Sequence, residues 1–123
     1  MTAFSFIRQI MFLVRRVLNR VSTLDPKENA DYWRKKGVQI GEGTYVYSNV
    51  VFGRGGRGPI NVGKNCILTG CTIIGHDAST NRALGLIHGK RSMIKPVVIE
   101  DDCFIGQGAI VLMGVEVGRG SLV

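Results

Sequence analysis

From Ala3 to Val21, the apolar residues Phe4, Ile7, Met11, Val14, Leu18 and Val21 fall at steps of three and four. That is the period of a helix, with Arg8, Arg15 and Arg20 toward its other faces. Phe12, Leu13 and Val17 widen the apolar stripe beyond what one small core needs. Ser22-Thr23 and Asp25-Pro26 break the pattern. Asp25 as N-cap, Pro26 at the first helical position and Glu28 at the third predict a second short helix that runs to Lys36 and stops at Gly37.

From Gly37 onward the period becomes six. Aliphatic residues recur at Ile99, Ile105, Val111, Val117 and Val123. Earlier registers are Ile40, Val46, Phe52 and Val62, Leu68, Ile74. Glycine often follows, at Gly41, Gly53, Gly63, Gly75, Gly106 and Gly118. Four places after the aliphatic residue stands a small or β-branched one: Thr44, Val50, Cys66, Thr72, Ala78, Cys103, Ala109, Val115 and Ser121. A period of six suits neither a continuing helix nor a plain strand, but it does suit a short strand and a corner, repeated. One aliphatic side chain per unit then enters a narrow column. Glycine supplies the corner's unusual backbone angles, and the small residue fits where the wall leaves little room.

The expected fold is therefore mainly β, a solenoid with a ladder of Ile, Val and Leu inside, preceded by an α-helical segment. The expected division is a basic amphipathic helical segment over residues 1–36 and a repeat domain over 37–123, with a loop insertion at 76–96. Cys66 and Cys103 occupy the small-residue register and read as packing groups. Cys71 lies outside that register and is assigned no role.

Composition narrows the function classes. The 123 residues amount to one domain, and 45% apolar content rules out a disordered tail. All 17 glycines lie at Gly37 or later. The three cysteines form no CxxC pair and no Cys/His cluster, which argues against a disulfide scaffold, a structural zinc site or any metal. The run Ile10 to Val14 is too short for a signal-peptide core and leads into Arg15-Arg16, so secretion is not expected.

The net charge is +7, and residues 1–36 hold eight basic residues against three acidic ones. The first helix has two readings: packing on its own domain or a sister subunit, or lying in a membrane surface with its arginines near headgroups. Nucleic-acid binding is disfavoured, because the segment lacks interleaved aromatics and the chain shows no nucleic-acid module.

Two places interrupt the beat, and interruptions of a solenoid tend to carry function. The first is Gly53-Arg54-Gly55-Gly56-Arg57-Gly58-Pro59, readable as a phosphate cradle or as a flexible corner. The second runs from Ile74 to Ile99 and holds both histidines. His76 follows the corner Ile74-Gly75, facing out at a loop root. An imidazole there takes a proton from a hydroxyl near neutral pH, and Asp77 beside it is placed to orient the ring. On spacing alone, a general base and an ordinary loop histidine are equally good readings. Adjacent side chains often diverge, which leaves an Asp77–His76 dyad open. His88 and Asn81 belong to the acceptor pocket or simply to the loop. Lys90, Arg91 and Lys95 meet the phosphates of a coenzyme or an acidic sugar, or form a solvated charge run.

Val62-Gly63-Lys64-Asn65-Cys66-Ile67 and Ile105-Gly106-Gln107-Gly108-Ala109-Ile110 resemble units of the hexapeptide-repeat acyltransferases, and the resemblance covers residues 37–123. It implies a left-handed parallel β-helix with three hexapeptides to a triangular coil. The run Gly75-His76-Asp77-Ala78-Ser79-Thr80, followed by Pro96-Val97-Val98-Ile99, is similar to the branch that acetylates bacterial surface polysaccharides and related sugars. That likeness implies His76 as general base, acetyl-CoA as donor and a carbohydrate hydroxyl as acceptor. It also implies that backbone N–H groups at Gly106-Gln107-Gly108 steady the oxyanion beside the coenzyme. A homotrimer with sites between subunits follows from the same likeness, as does a cytoplasmic location at the inner face of the membrane.

Relatives continue for several more coils. A chain ending at Val123, on a core position, is accordingly expected to be a fragment or to have its last coil covered by partners. Val115-Glu116-Val117-Gly118-Arg119-Gly120 also suits a serine acetyltransferase, although that family's long acidic helical domain is missing. A non-catalytic scaffold is the reading from another class. A γ-class carbonic anhydrase needs three histidines, and the chain has two.

Overall fold

The six-residue beat folds as a coil of very short strands. The computed structural model describes residues 2–21, 25–53, 58–79, 83 and 93–123, with side chains as far as Val14 in the first helix. After α1 (Ala3–Val21) and α2 (Pro26–Lys35), the chain winds through β1 (Gln39–Ile40), β2 (Tyr45–Val46) and β3 (Val51–Phe52). β4 (Ile60–Val62), β5 (Ile67–Leu68) and β6 (Thr72–Ile73) make a second turn. β7 (His76–Asp77) and β8 (Met93–Ile94) belong to the insertion. The coil resumes with β9 (Val97–Ile99), β10 (Phe104–Ile105) and β11 (Ile110–Val111), and β12 (Glu116–Val117) starts a further turn.

Each coil strand pairs in parallel with the strand one turn away, giving the sheets β1-β4-β9-β12, β2-β5-β10 and β3-β6-β11. Register stacks like on like. Ile40, Val62, Ile99 and Val117 form one buried column, and Val46, Leu68 and Ile105 a second. Val38, Ile60 and Val97, two residues before the first column, are buried with it.

The third column corrects the expected register. Ile73 enters the core opposite Phe52 and Val111, while Ile74 is only half-buried. Cys71, rather than Thr72, is the buried small residue, and Ala78 is exposed. The unit from Leu68 to Ile73 is one residue short, and Gly70 with φ +50° closes its corner.

The glycine directly after the aliphatic residue also has a different reason from the expected one. Its φ is not positive. A Cβ on Gly41 would stand 2.6 Å from the carbonyl oxygen of Gly63 in the next turn, so close backbone approach excludes any side chain. The left-handed angles come two residues later, at Gly43 (φ +74°), Asn65 (φ +54°), Asp102 (φ +61°) and Gly120 (φ +70°), one per turn.

The small-residue positions hydrogen-bond from turn to turn. Thr44 Oγ1 donates to the Gly63 carbonyl at 2.7 Å, Cys66 Sγ to that of Glu100 at 3.1 Å, and Cys103 Sγ to that of Gly118 at 3.2 Å. Size admits these residues, and their single donor satisfies a backbone acceptor that would otherwise lie buried.

α2 closes the first turn. Asp25 accepts from the Lys27 N–H at 2.9 Å, Pro26 opens the helix, and Gly37 at φ +99° follows its end. Buried Asn29 donates Nδ2 to the carbonyls of Val46 (3.0 Å) and Tyr47 (3.1 Å), and Trp33 packs on Phe52 with ring centres 4.8 Å apart. These bonds cover strand ends that water would otherwise reach. α1 differs. The apolar side chains described in it, from Phe4 to Val14, are exposed, so the stripe does not pack on the chain's own core.

Candidate active site at the root of the insertion

At Ile74-Gly75 the chain leaves the coil, at the corner between the third sheet and the first. β7 then pairs antiparallel with β8, with His76 opposite Ile94 and Asp77 opposite Met93. The return is pinned at the same corner one turn on. The Pro96 carbonyl accepts from the Gly114 N–H at 2.9 Å, and the alkyl stem of Lys95 lies against Gly114. The Val97 N–H donates to the Pro59 carbonyl at 2.9 Å, and the coil resumes. Two coil turns therefore hold the base of the insertion.

His76 is half-buried rather than facing freely outward. Its Nδ1 is buried and has no hydrogen-bond partner among the described residues. A buried nitrogen without a partner costs on the order of 1–3 kcal/mol, and in native structures such groups concentrate at functional positions.

The Asp77 carboxylate is not bonded to the Nδ1 of His76. It accepts from the Ser79 N–H at 2.7 Å and the Ser79 hydroxyl at 2.8 Å. The Ser79 N–H bond, then the hydroxyl bond, hold this carboxyl below its ordinary range, and the charge of neighbouring His76 contributes less. The spacing Asp-x-Ser carries the signal of this local turn. Ser79 is thus a residue of the site that the sequence reading passed over.

Gly106-Gln107-Gly108 lies at a different corner, between the second and third sheets, and does not meet His76 within one chain. Two of its N–H groups are already engaged: Gly106 donates to the Val123 carbonyl at 2.7 Å and Gly108 to that of Gly70 at 3.0 Å. Both bonds run within the coil, and the Gln107 N–H is the one of the three not so engaged. Asn81, His88, Lys90 and Arg91 lie outside the described residues, as do Arg54 and Arg57 of the glycine-rich interruption.

The thiols offer no competing nucleophile. Cys66, Cys71 and Cys103 are buried and free. Burial raises the Cys66 thiol and pushes Cys71 up to about 11, so neither supplies thiolate at neutral pH.

Residues 96–123 match the family model described as the hexapeptide repeat of succinyl-transferase. The chain is 38% identical over 86 residues to the 2,3,4,5-tetrahydropyridine-2,6-dicarboxylate N-succinyltransferase of Methylorubrum populi, a match covering 70% of this chain and 25% of that protein. It is 37% identical over the same length to the enzyme of that name from a Methylobacterium species, and 36% to that of Parvibaculum lavamentivorans. The chain thus spans about a quarter of the length of the curated relatives it matches. No solved structure matches it. The six-residue beat, the parallel coil and these relatives together support the resemblance to the hexapeptide-repeat acyltransferases.

Proposed function

We propose that this chain carries the catalytic base of an acyl-CoA-dependent acyltransferase, with acetyl-CoA as donor, a sugar hydroxyl as acceptor and His76 as the base. The observation that supports it most is the His76 ring: half-buried, held by β7 at the root of the insertion, with a buried nitrogen that no described residue engages. The run Gly75 to Thr80 with Pro96 to Ile99 supports the sugar acceptor by its likeness to that branch.

His76 removes the hydroxyl proton, and the oxygen attacks the thioester carbonyl. The C–O bond forms, the tetrahedral oxyanion collapses, the C–S bond breaks, and the imidazolium returns the proton to the departing thiolate. Gln107, contributed by a neighbouring copy in a homotrimer, is the donor in reach of the oxyanion, since one chain keeps the two corners apart. Lys95 meets the negative charge of the coenzyme. In this reading residues 37–123 form the catalytic repeat domain with its insertion at 76–96, residues 1–36 lead into it, and a coenzyme A donor places the reaction in the cytoplasm.

The names of the relatives favour a second reading, an N-succinyl transfer. One experiment tests both. Thiol release is followed with acetyl-CoA or succinyl-CoA, against a sugar panel or 2,3,4,5-tetrahydropyridine-2,6-dicarboxylate, for the wild type and His76→Ala. Sugar-dependent release from acetyl-CoA that collapses in the variant is the expected result. Release only from succinyl-CoA selects the second reading, and activity that survives His76→Ala removes the base assignment.

A further inference from the structure

We infer that α1 is an interfacial anchor that lays this chain on a bilayer surface bearing anionic headgroups. None of the described residues covers one face of this helix. Phe4, Ile7, Ile10, Met11 and Val14 share one arc of the helix, widened on one side by Phe6 and Leu13, and every one is exposed: Phe4 at 79%, Ile7 at 57%, Met11 at 66%. Ser5, Arg8 and Gln9 occupy the opposite arc, where Phe12 also falls. In water this stripe is a liability, since the core of the coil is complete without it.

Charge selects the occupant. Residues 1–20 hold four arginines and no acidic residue. A second copy of such a helix would bring four more arginines and no acidic residue to balance them. An anionic surface has the opposite sign and accepts the apolar arc at the same time. No helix among the described residues is long and apolar enough to cross a membrane. A two-faced, cationic helix of low overall hydrophobicity has its favourable position in the plane of the headgroup boundary, apolar arc inward.

The test uses the whole chain, floated with vesicles of phosphatidylglycerol and phosphatidylcholine in equal parts and with vesicles of phosphatidylcholine alone. The chain is expected to float with the anionic vesicles and several-fold less with the neutral ones. Raising salt from about 0.1 M to about 1 M shortens the screening length from ~10 to ~3 Å and should weaken binding. The double variant Ile7→Ser/Met11→Ser should lose binding. Arg8→Gln keeps the apolar arc and should lower partitioning about fivefold. Both should retain the melting transition of the coil. Failure of the wild type to float overturns the proposal, as does binding indifferent to the apolar double variant. So does a lipid-free dimer that the double variant dissociates, because α1 would then be covered by a second copy.

Discussion

His76 stands directly opposite Ile94 in the antiparallel pair at the base of the insertion, so the arm that leaves the coil and the arm that returns to it meet at this residue. Replacing His76 by Ala is expected to lower kcat by about 10²–10⁴-fold, the usual contribution of a positioned general base. Ile94→Pro removes the backbone N–H at that pair, displaces the ring and lowers kcat as well. Both should leave Tm within a few degrees of the wild type, because β7 and β8 lie outside the buried columns. Steady-state kinetics beside a thermal melt checks this.

Asp77→Asn separates a dyad from a local turn. A carboxylate that set the ring's tautomer would cost on the order of 10⁴-fold when changed to the amide. With the carboxylate bonded to Ser79 instead, the expected loss is less than about tenfold, and Ser79→Ala should fall in the same range. A loss near 10⁴ in kcat for Asp77→Asn alone would contradict the geometry.

The cysteines yield a chemical prediction. Native protein should react with a thiol reagent only as fast as it unfolds, since all three thiols are buried and burial raises those of Cys66 and Cys71. Cys66→Ser keeps the donor to the Glu100 carbonyl and should cost no more than about 1 kcal/mol, whereas Cys66→Leu overpacks the wall and should cost about 1–3 kcal/mol. Chemical denaturation of the two variants measures the difference.

Asp101 ties its own turn to the turn on either side. One oxygen accepts from the Lys64 N–H at 2.8 Å and the other from Arg119 at 2.9 Å, and these partners, Lys64 first, hold the carboxyl below its ordinary range. A lowered native value contributes stability above the unfolded value, near 3.9, and loses it as pH falls through the native one. Asp101→Asn should therefore melt below the wild type at pH 7, and the gap should close on acidification past about pH 4. A gap that widens toward acid would contradict that sign.

The columns of the coil were legible because each rung needs one branched aliphatic residue, and Ile40, Val62, Ile99 and Val117 supply it in register. The pattern was one residue out where two isoleucines adjoin: Ile73 and Ile74 serve an aliphatic period equally well, and only pairing with Phe52 and Val111 decides between them. Thr44, Cys66 and Cys103 read as small, but their donor role requires knowing that a carbonyl of the next turn lies within reach. Asp77 looked like a partner because it is adjacent to His76, yet successive residues of a strand point to opposite faces. The stripe of α1 was legible as a stripe. Its exposure was not, because the period of an apolar face does not say what the face meets.

β9 pairs with β4 with Ile60 opposite Val97, Asn61 opposite Val98 and Val62 opposite Ile99, as though residues 74–96 did not intervene. The insertion consequently transmits no shift into the scaffold. Closing a longer loop costs only about 0.6 kcal/mol per doubling of its length. The excursion from the coil can then be lengthened, shortened or exchanged wholesale without re-registering a single rung. In the proposed function, selection for a new acceptor is thereby uncoupled from selection for folding, and grafting a foreign loop between Ser79 and Met93, which keeps His76 and its strand pair, should change the acceptor while the melting behaviour remains that of the coil.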